Sequence, residues 1–267
     1  MLDNPSPLSL PRAHGVLRAG FAYSGDETRL ARLHQAGSTK AMLPPGAGCE
    51  LVMLNTSGGL TGGDRMQISV TQDPGTHLTA TTQTAERAYR SVTGQAHVTA
   101  RYEVADAAHL DLLPQETILF DRAALLREQE IALTGTATCL WAETLILGRA
   151  AMGEVVTRLD VNDRRRVTRD GRPVFIENLR LDDALLPGGL ATLAGCRAFA
   201  TLVLVAPDAA DRLGTARAAL GDAGAASAFD GKLVARLMAG DGWPLRQALM
   251  RLIRALRPGP LPRVWQI

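Results

Sequence analysis

At 267 residues, with 46% hydrophobic side chains and a formal charge of +2, the chain is long enough for one large β domain or two ordinary ones, which excludes disorder as its main theme. Of its 29 basic residues only Lys40 and Lys232 are lysines, and the arginines are scattered among 27 acids, so no basic patch points to nucleic acid. The one dense basic run, Arg164-Arg165-Arg166, reads as a solvated turn beside Asp163.

Residues 1–15 lack the basic start and unbroken apolar stretch of a secretory signal and are interrupted by Pro5, Pro7 and Pro11. The apolar region 184–206 carries Pro187, Gly188, Gly189 and Arg197, which no uncharged membrane-spanning helix accommodates. Both features predict a soluble, cytoplasmic protein that engages no membrane. Cys49, Cys139 and Cys196 are odd in number and lack Cys-x-x-Cys spacing, which fits a reducing compartment and small core residues.

From residue 15 to about 133 the chain reads as strand after strand, in a meandering antiparallel arrangement. Within 55–64, Gly58, Gly59, Gly62 and Gly63 allow a tight double bend, and Met66, Ile68 and Val70 then alternate with polar residues. A phosphate cradle is the tempting alternative, but Asp64 brings negative charge and a strand follows, where a nucleotide loop needs Gly-Lys-Ser/Thr or a helix. Ala96, Val98, Ala100, Tyr102 and Val104 alternate with His97, Thr99, Arg101 and Glu103, the latter facing water. Strands continue through 137–147 and 154–161. Asp170-Gly171 then predicts a two-residue hairpin turn within 167–176, and one more strand lies within 196–205.

After Pro207 the period changes to helical. Asp208 is expected to cap a helix running to about Leu220, and Phe229, Leu233, Val234, Leu237 and Met238 form a second helical stripe closed by Gly240. The third is the clearest. Leu245, Ala248, Leu249, Leu252, Ile253 and Leu256 make one apolar face that packs on the β body, stopped by Pro258-Gly259. The expected architecture is mainly β: a large antiparallel β-sandwich-like or elongated β domain over 1–267, with 1–206 mostly β, a helical portion at 207–257 contributing about three packed helices, and a Pro-rich tail at 258–267.

Chemistry is sparse by motif. The histidines (14, 34, 77, 97 and 109) show no His-x-x-x-His spacing, and no serine sits in a Gly-x-Ser-x-Gly elbow. Carboxylates stand out instead: Asp64, Glu86, Glu116, Asp121, Glu143, Glu154 and Glu177. Glu143 and Glu177 are embedded in apolar sequence, and a buried carboxylate needs a cation or hydrogen bonds. The plain expectation is pairing with nearby Arg149, Arg172 and Arg180.

The segments 55–64 and 81–91 (Thr-Thr-Gln-Thr-Ala-Glu-Arg-Ala-Tyr-Arg-Ser), together with 113–121 (Leu-Pro-Gln-Glu-Thr-Ile-Leu-Phe-Asp), 147–154 (Leu-Gly-Arg-Ala-Ala-Met-Gly-Glu) and 261–265 (Leu-Pro-Arg-Val-Trp), resemble in order the UreD (UreH) family of urease accessory proteins. The resemblance implies a non-enzymatic scaffold that binds urease apoprotein and UreF, with the GTPase UreG completing an activation complex that delivers Ni²⁺. It also implies a water-filled internal passage, no tightly bound cofactor, and Ni²⁺ held only in transit. Carried over by motif, the path residues are Glu86, Glu116, Glu143 and Glu177, with Glu154 and Asp64. Oxygen ligands suit transit, because nitrogen and sulfur sites hold Ni²⁺ more tightly. The same acids leave open a carboxylate-based hydrolase on a β scaffold. A carbohydrate-binding module fits poorly, since aromatic residues make up only 4% of the chain.

Overall fold

The computed structural model describes residues 11–46, 48–186, 189 and 192–266. Most of the amino-terminal segment weighed as a signal, with Pro187 and Gly188, lies outside the described residues. Among the described residues no helix is long and apolar enough to cross a membrane.

Two hairpins start the chain, β1 (His14–Ser24) with β2 (Glu27–Gly37) and β3 (Thr39–Met42) with β4 (Cys49–Asn55). The backbone then passes back and forth between two sheets. In one, β5 (Arg65–Gln72), β8 (Ala96–Val104), β11 (Ala123–Leu133) and β13 (Leu159–Arg169) lie parallel. In the other, β4 is followed in parallel by β6 (His77–Thr82), β9 (His109–Leu112) and β12 (Thr138–Leu147). The short β7 (Glu86–Ala88) and β10 (Thr117–Leu119) pair in parallel with each other, and β10 with β12. Antiparallel strands close the far end: β14 (Arg172–Asp182) beside β13, then β15 (Ala198–Val205), β17 (Lys232–Ala239) and β16 (Gly224–Phe229) beside β12.

The result is a solenoid-like stack of parallel strands, which corrects the expected antiparallel meander and sandwich. Alternation reports which face a residue takes and is silent about which strand lies beside it. The turns explain the outcome. Pro74-Gly75 joins β5 to β6 in the opposite sheet, and the Gly75 N–H donates to the Asp106 carbonyl of the next corner (3.1 Å). Asp106 Oδ1 in turn accepts from Thr136 N at 2.7 Å, and Gly135 N donates to Asp170 Oδ1 at 3.0 Å. Successive corners are thus bonded to one another along the stack.

The Asp170-Gly171 turn forms as expected, with φ of 48° and 76° joining β13 to β14. The same chemistry overturns one expected helix. Asp230 and Gly231, at φ 47° and 70°, turn β16 into β17, where a helical stripe over Phe229 to Met238 was expected. Leu233, Ala235 and Leu237 are buried at alternate positions, so a period of two prevails over the spacing of four that the same leucines also satisfy. Two α-helices remain among the described residues. α1 (Leu213–Leu220) begins after a turn over 207–212, shorter than expected, and α2 (Gly242–Leu256) is capped by the Asp241 side chain accepting from Gly242 N (2.7 Å).

α2 buries the six residues expected of it, packing with α1 on the outer face of the second sheet against Leu140, Leu202 and Leu233. That sheet is covered on both faces, and accordingly β15 is an almost continuous apolar run. Between the sheets the core divides in two. One cluster holds Leu17, Phe21, Tyr102, Ile131 and Trp141, the other Leu60, Leu119, Leu125, Val161 and Leu181. Leu252 is fully buried beneath α2. Leu252→Ala is expected to destabilise the chain by about 2–5 kcal/mol, read as a lower urea midpoint with an unchanged slope.

Candidate functional site

What separates the two inter-sheet clusters is a layer of polar side chains set by strand alternation. On β11, Arg127 and Gln129 point inward between Leu125 and Ile131. On β13, Asp163 and Arg165 do so between Val161 and Val167, on β12 Glu143 between Trp141 and Leu145, and on β14 Glu177 between Phe175 and Leu181. Sheet register then makes neighbours of them: Arg127 opposite Asp163, Gln129 opposite Arg165, Arg165 opposite Glu177, and Glu143 opposite Thr201, which faces Arg236 of β17.

The contacts run continuously through this seam. Arg127 donates to Asp163 through Nε (3.0 Å) and Nη2 (2.6 Å), and Arg165 Nε reaches Asp163 Oδ2 at 3.0 Å. Arg165 Nη1 donates to Glu177 Oε2 at 2.8 Å, and Arg236 Nη1 donates to Glu177 Oε1. At the other side, Glu143 Oε1 accepts from Gln129 Nε2 (2.8 Å) and Trp141 Nε1 (3.2 Å), and Arg127 Nη1 donates to Thr117 Oγ1 at 3.1 Å. Arg127 Nη1 also lies 3.1 Å from Glu143 Oε2, off hydrogen-bond geometry, so that oxygen has an ionic neighbour and no hydrogen bond. Gln129 Oε1 is likewise buried without a partner. Burial alone would raise the Asp163 carboxyl, but the two guanidinium groups hold it well below the ordinary range.

A cavity of about 140 Å³ opens between the sheets at this end of the seam, with Arg127, Gln129 and Glu143 on its inner wall and Asn55 and Glu86 nearer the exposed Gln83 and Thr84. Glu86 Oε2 accepts from Asn55 Nδ2 (3.1 Å) and Oε1 from the Arg87 N–H (2.9 Å). Among the described residues no guanidinium pairs with it within salt-bridge distance, and burial pushes its carboxyl up against those two hydrogen bonds. Arg127, Glu143 and Glu86 all line this cavity, and a continuous chain of hydrogen bonds and ion pairs links Arg127 through Asp163, Arg165 and Glu177 to Arg236 at the surface.

The other acids singled out from the sequence lie elsewhere. Glu116 pairs with Arg246 of α2 at 3.2 Å, and its backbone carbonyl accepts from Glu86 N (2.9 Å). Glu154 is tied to Arg149 Nε (2.8 Å) and Asp121 N (3.1 Å); against the upward push of burial these hold it below the ordinary carboxylate range. Asp64 accepts from Ala13 N and Thr61 N, both at 2.8 Å, closing its own glycine loop on itself and on β1. That loop is built for shape, as expected: Gly58, Gly59 and Gly63 take positive φ, and a Cβ on Gly62 would meet Ser91 Oγ at 2.0 Å. Asp64 is the anion that the Thr61 N–H of the loop binds, while the Leu60 and Gly63 N–H groups donate to the Arg87 and Gln95 carbonyls. Among the described residues, no three His, Cys, Asp or Glu side chains converge as a metal-binding group.

The family described as UreD urease accessory protein matches residues 13–266. The chain belongs to the UreD family. It is 52% identical to the urease accessory protein UreD of Cereibacter sphaeroides (strain ATCC 17025) over 264 residues, covering 96% of each chain. It is 47% identical to that of Paracoccus denitrificans, covering 100% of this chain and 97% of the other, and 46% identical to that of a Jannaschia species, covering 100% of both.

In this UreD chain, sequence reasoning found Glu143 and Glu177 and missed the cations that hold them. Arg149 pairs with Glu154 and not with Glu143, whose cation is Arg127; Glu177 takes Arg165 and Arg236 in place of Arg172 or Arg180, and Arg180 pairs with Asp182. The run Arg164-Arg165-Arg166 is a stretch of β13 and not a turn, so only its middle residue is buried. The available signal was a charged residue at an inward position of an alternating strand, as in Leu125-x-Arg127 and Val161-x-Asp163-x-Arg165.

Two outcomes test the site's electrostatics. Asp163→Ala removes the carboxylate shared by two buried guanidinium groups, leaving Arg127 only Glu143 and Arg165 only Glu177, and is expected to destabilise by about 3–5 kcal/mol, measured by chemical denaturation at neutral pH. Glu86 has a folded pKa above its unfolded value, so its contribution is full below the unfolded pKa and is lost as pH rises through the folded one. Glu86→Gln is therefore expected to gain stability relative to the parent as pH rises above the ordinary carboxylate value; a parallel pH dependence of both urea midpoints would contradict this.

Proposed function

We propose that this chain is a non-catalytic scaffold of urease maturation, binding urease apoprotein and a UreF-type partner, with a UreG-type GTPase joining the complex. Family membership over residues 13–266 carries this reading. In it, Ni²⁺ is cargo and crosses the protein along the polar seam. Glu86, free of a cationic partner, receives it at the cavity, and Glu143, Asp163 and Glu177 pass it toward Arg236.

The seam's chemistry supports that part of the reading. Its donors are carboxylate, amide and hydroxyl oxygens, which exchange a borderline divalent ion more readily than a Cys/His cage does. Two of the buried acceptors, Gln129 Oε1 and Glu143 Oε2, have no hydrogen bond of their own to give up. A carboxylate-based hydrolase, the second reading, draws on Glu86 and Glu143 sharing one cavity, but Glu143 is already committed to Gln129, Trp141 and Arg127.

Co-expression with urease apoprotein and UreF tests the scaffold, and failure to co-purify with either would refute it. Glu143→Gln and Glu177→Gln keep side-chain volume and should preserve assembly while lowering the nickel found in urease. Full nickel content with both variants would remove these acids from the path.

A further inference from the structure

One member of the seam differs from the rest. Arg127, Asp163, Arg165, Glu143 and Glu177 have side chains at most 8% exposed, whereas Arg236 is 61% exposed and reaches in from β17. The reason is topological. β17 lies beyond β15 on the second sheet, where the facing sheet has already ended at β14, so the inner side of β17 overhangs solvent past Val234, which still packs on the inter-sheet core. Arg236 and Met238 on that side are exposed, while Leu233, Ala235 and Leu237 on the other are buried under the helices.

The Arg236 Nη1 atom occupies a particular point. It donates to Glu177 Oε1 and lies 3.5 Å from Thr201 Oγ1, while Thr201 Oγ1 is itself 3.4 Å from Glu177 Oε1. Two oxygen ligands therefore converge on a guanidinium nitrogen at the surface. The second Glu177 oxygen is held separately by the buried Arg165 at 2.8 Å, so the carboxylate stays in place if Arg236 leaves. Arg165 is locked by its bonds to Asp163 as well as Glu177, whereas every polar side-chain contact of Arg236 is to Glu177 or Thr201.

From this geometry we propose that Arg236 is a displaceable plug: its guanidinium fills a divalent-cation position formed by Glu177 and Thr201, and a metal ion takes that position when the side chain swings out into solvent. The idea rests on the nickel-transit reading for its biological meaning, but the competition between guanidinium and cation is a property of this chain alone. An exposed ion pair is weak enough to open reversibly, and a guanidinium and a divalent cation cannot share one carboxylate oxygen without strong repulsion. Arg236 is a positioning residue in this scheme, controlling when the Glu177 oxygen is free.

The test is Ni²⁺ titration of the full chain by calorimetry, in parent and variants of verified fold. Arg236→Ala should bind Ni²⁺ about fivefold more tightly than the parent, the factor an exposed ion pair is worth. The gain should vanish in Arg236→Ala/Glu177→Gln, and Arg164→Ala, which removes an equally exposed arginine from the opposite side of β13, should match the parent. Should Arg236→Ala fail to fold, Arg236→Gln keeps the aliphatic stem and carries the same expectation. Unchanged affinity in the Arg236 variant, a gain that survives loss of Glu177, or an equal gain in Arg164→Ala would each overturn the plug. None of these results depends on urease, so they are distinct from a failure of the chain to co-purify with urease apoprotein.

Discussion

The double grip of Arg127 and Arg165 on Asp163 is the constraint around which the interior is arranged. All three lie almost wholly out of water, and charges so placed are tolerated only with near-complete pairing. Pairing is supplied by strand register: Arg127 faces Asp163 across β11 and β13, and Arg165 faces Glu177 across β13 and β14. A slip of one residue in β13 would turn Asp163 and Arg165 out to solvent and bring Arg164 and Arg166 inside, so Arg127 would lose the acid it faces. The ion network and the parallel stack therefore specify each other. Neither adjacent apolar cluster does this as sharply, since leucine and valine accept one another's places with modest loss.

Parallel sheets are ordinarily covered on both faces, and this chain meets that demand for only one of its two. The second sheet lies beneath α1 and α2. The first leaves its outer face in water and fills it with cross-strand ion pairs, Arg101 with Glu130 at 2.7 Å and Arg164 with Glu128 at 2.9 Å, each directly in register. Strand β13 thus carries three arginines in succession for two purposes. The middle one closes the buried seam and its neighbours solvate the outer face.

Much of this was legible as local pattern. Strand positions, the inward and outward residues of β8, the Asp170-Gly171 turn and the buried face of α2 follow from period and turn chemistry, which act within a few residues. Parallel pairing was not legible, because corners such as Pro74-Gly75 have the composition of hairpin turns and differ only in where the chain goes next. The hairpin of β16 and β17 was hidden by leucines whose spacing serves a helix and a strand alike, although Asp230-Gly231 between them marked the turn. At the site, burial of Glu143 and Glu177 could be read from their apolar flanks. Their partners could not, because Arg236 is 59 residues from Glu177 and only sheet order brings them together. Asp64 shows the converse: a conspicuous acid whose oxygens both serve the backbone.

Charge balance links the stability of the seam to its proposed use. Arg127, Arg165 and Arg236 offset Glu143, Asp163 and Glu177, so the seam is neutral without any metal and stands as a structural feature in its own right. A Cys/His cage would bind an ion and keep it, and would leave unpaired ligands behind if the ion departed. Glu143, Asp163 and Glu177 each have a guanidinium to return to, so on the proposed transit a cation would leave them without stranding a bare buried charge, the outcome that costs most in a low-dielectric interior. The same guanidinium groups resist entry of a cation, and that resistance is smallest where an arginine reaches water. On the proposed transit, exchange would therefore be cheapest at the two ends, at Glu86 where no arginine is paired and at Glu177 if Arg236 withdraws.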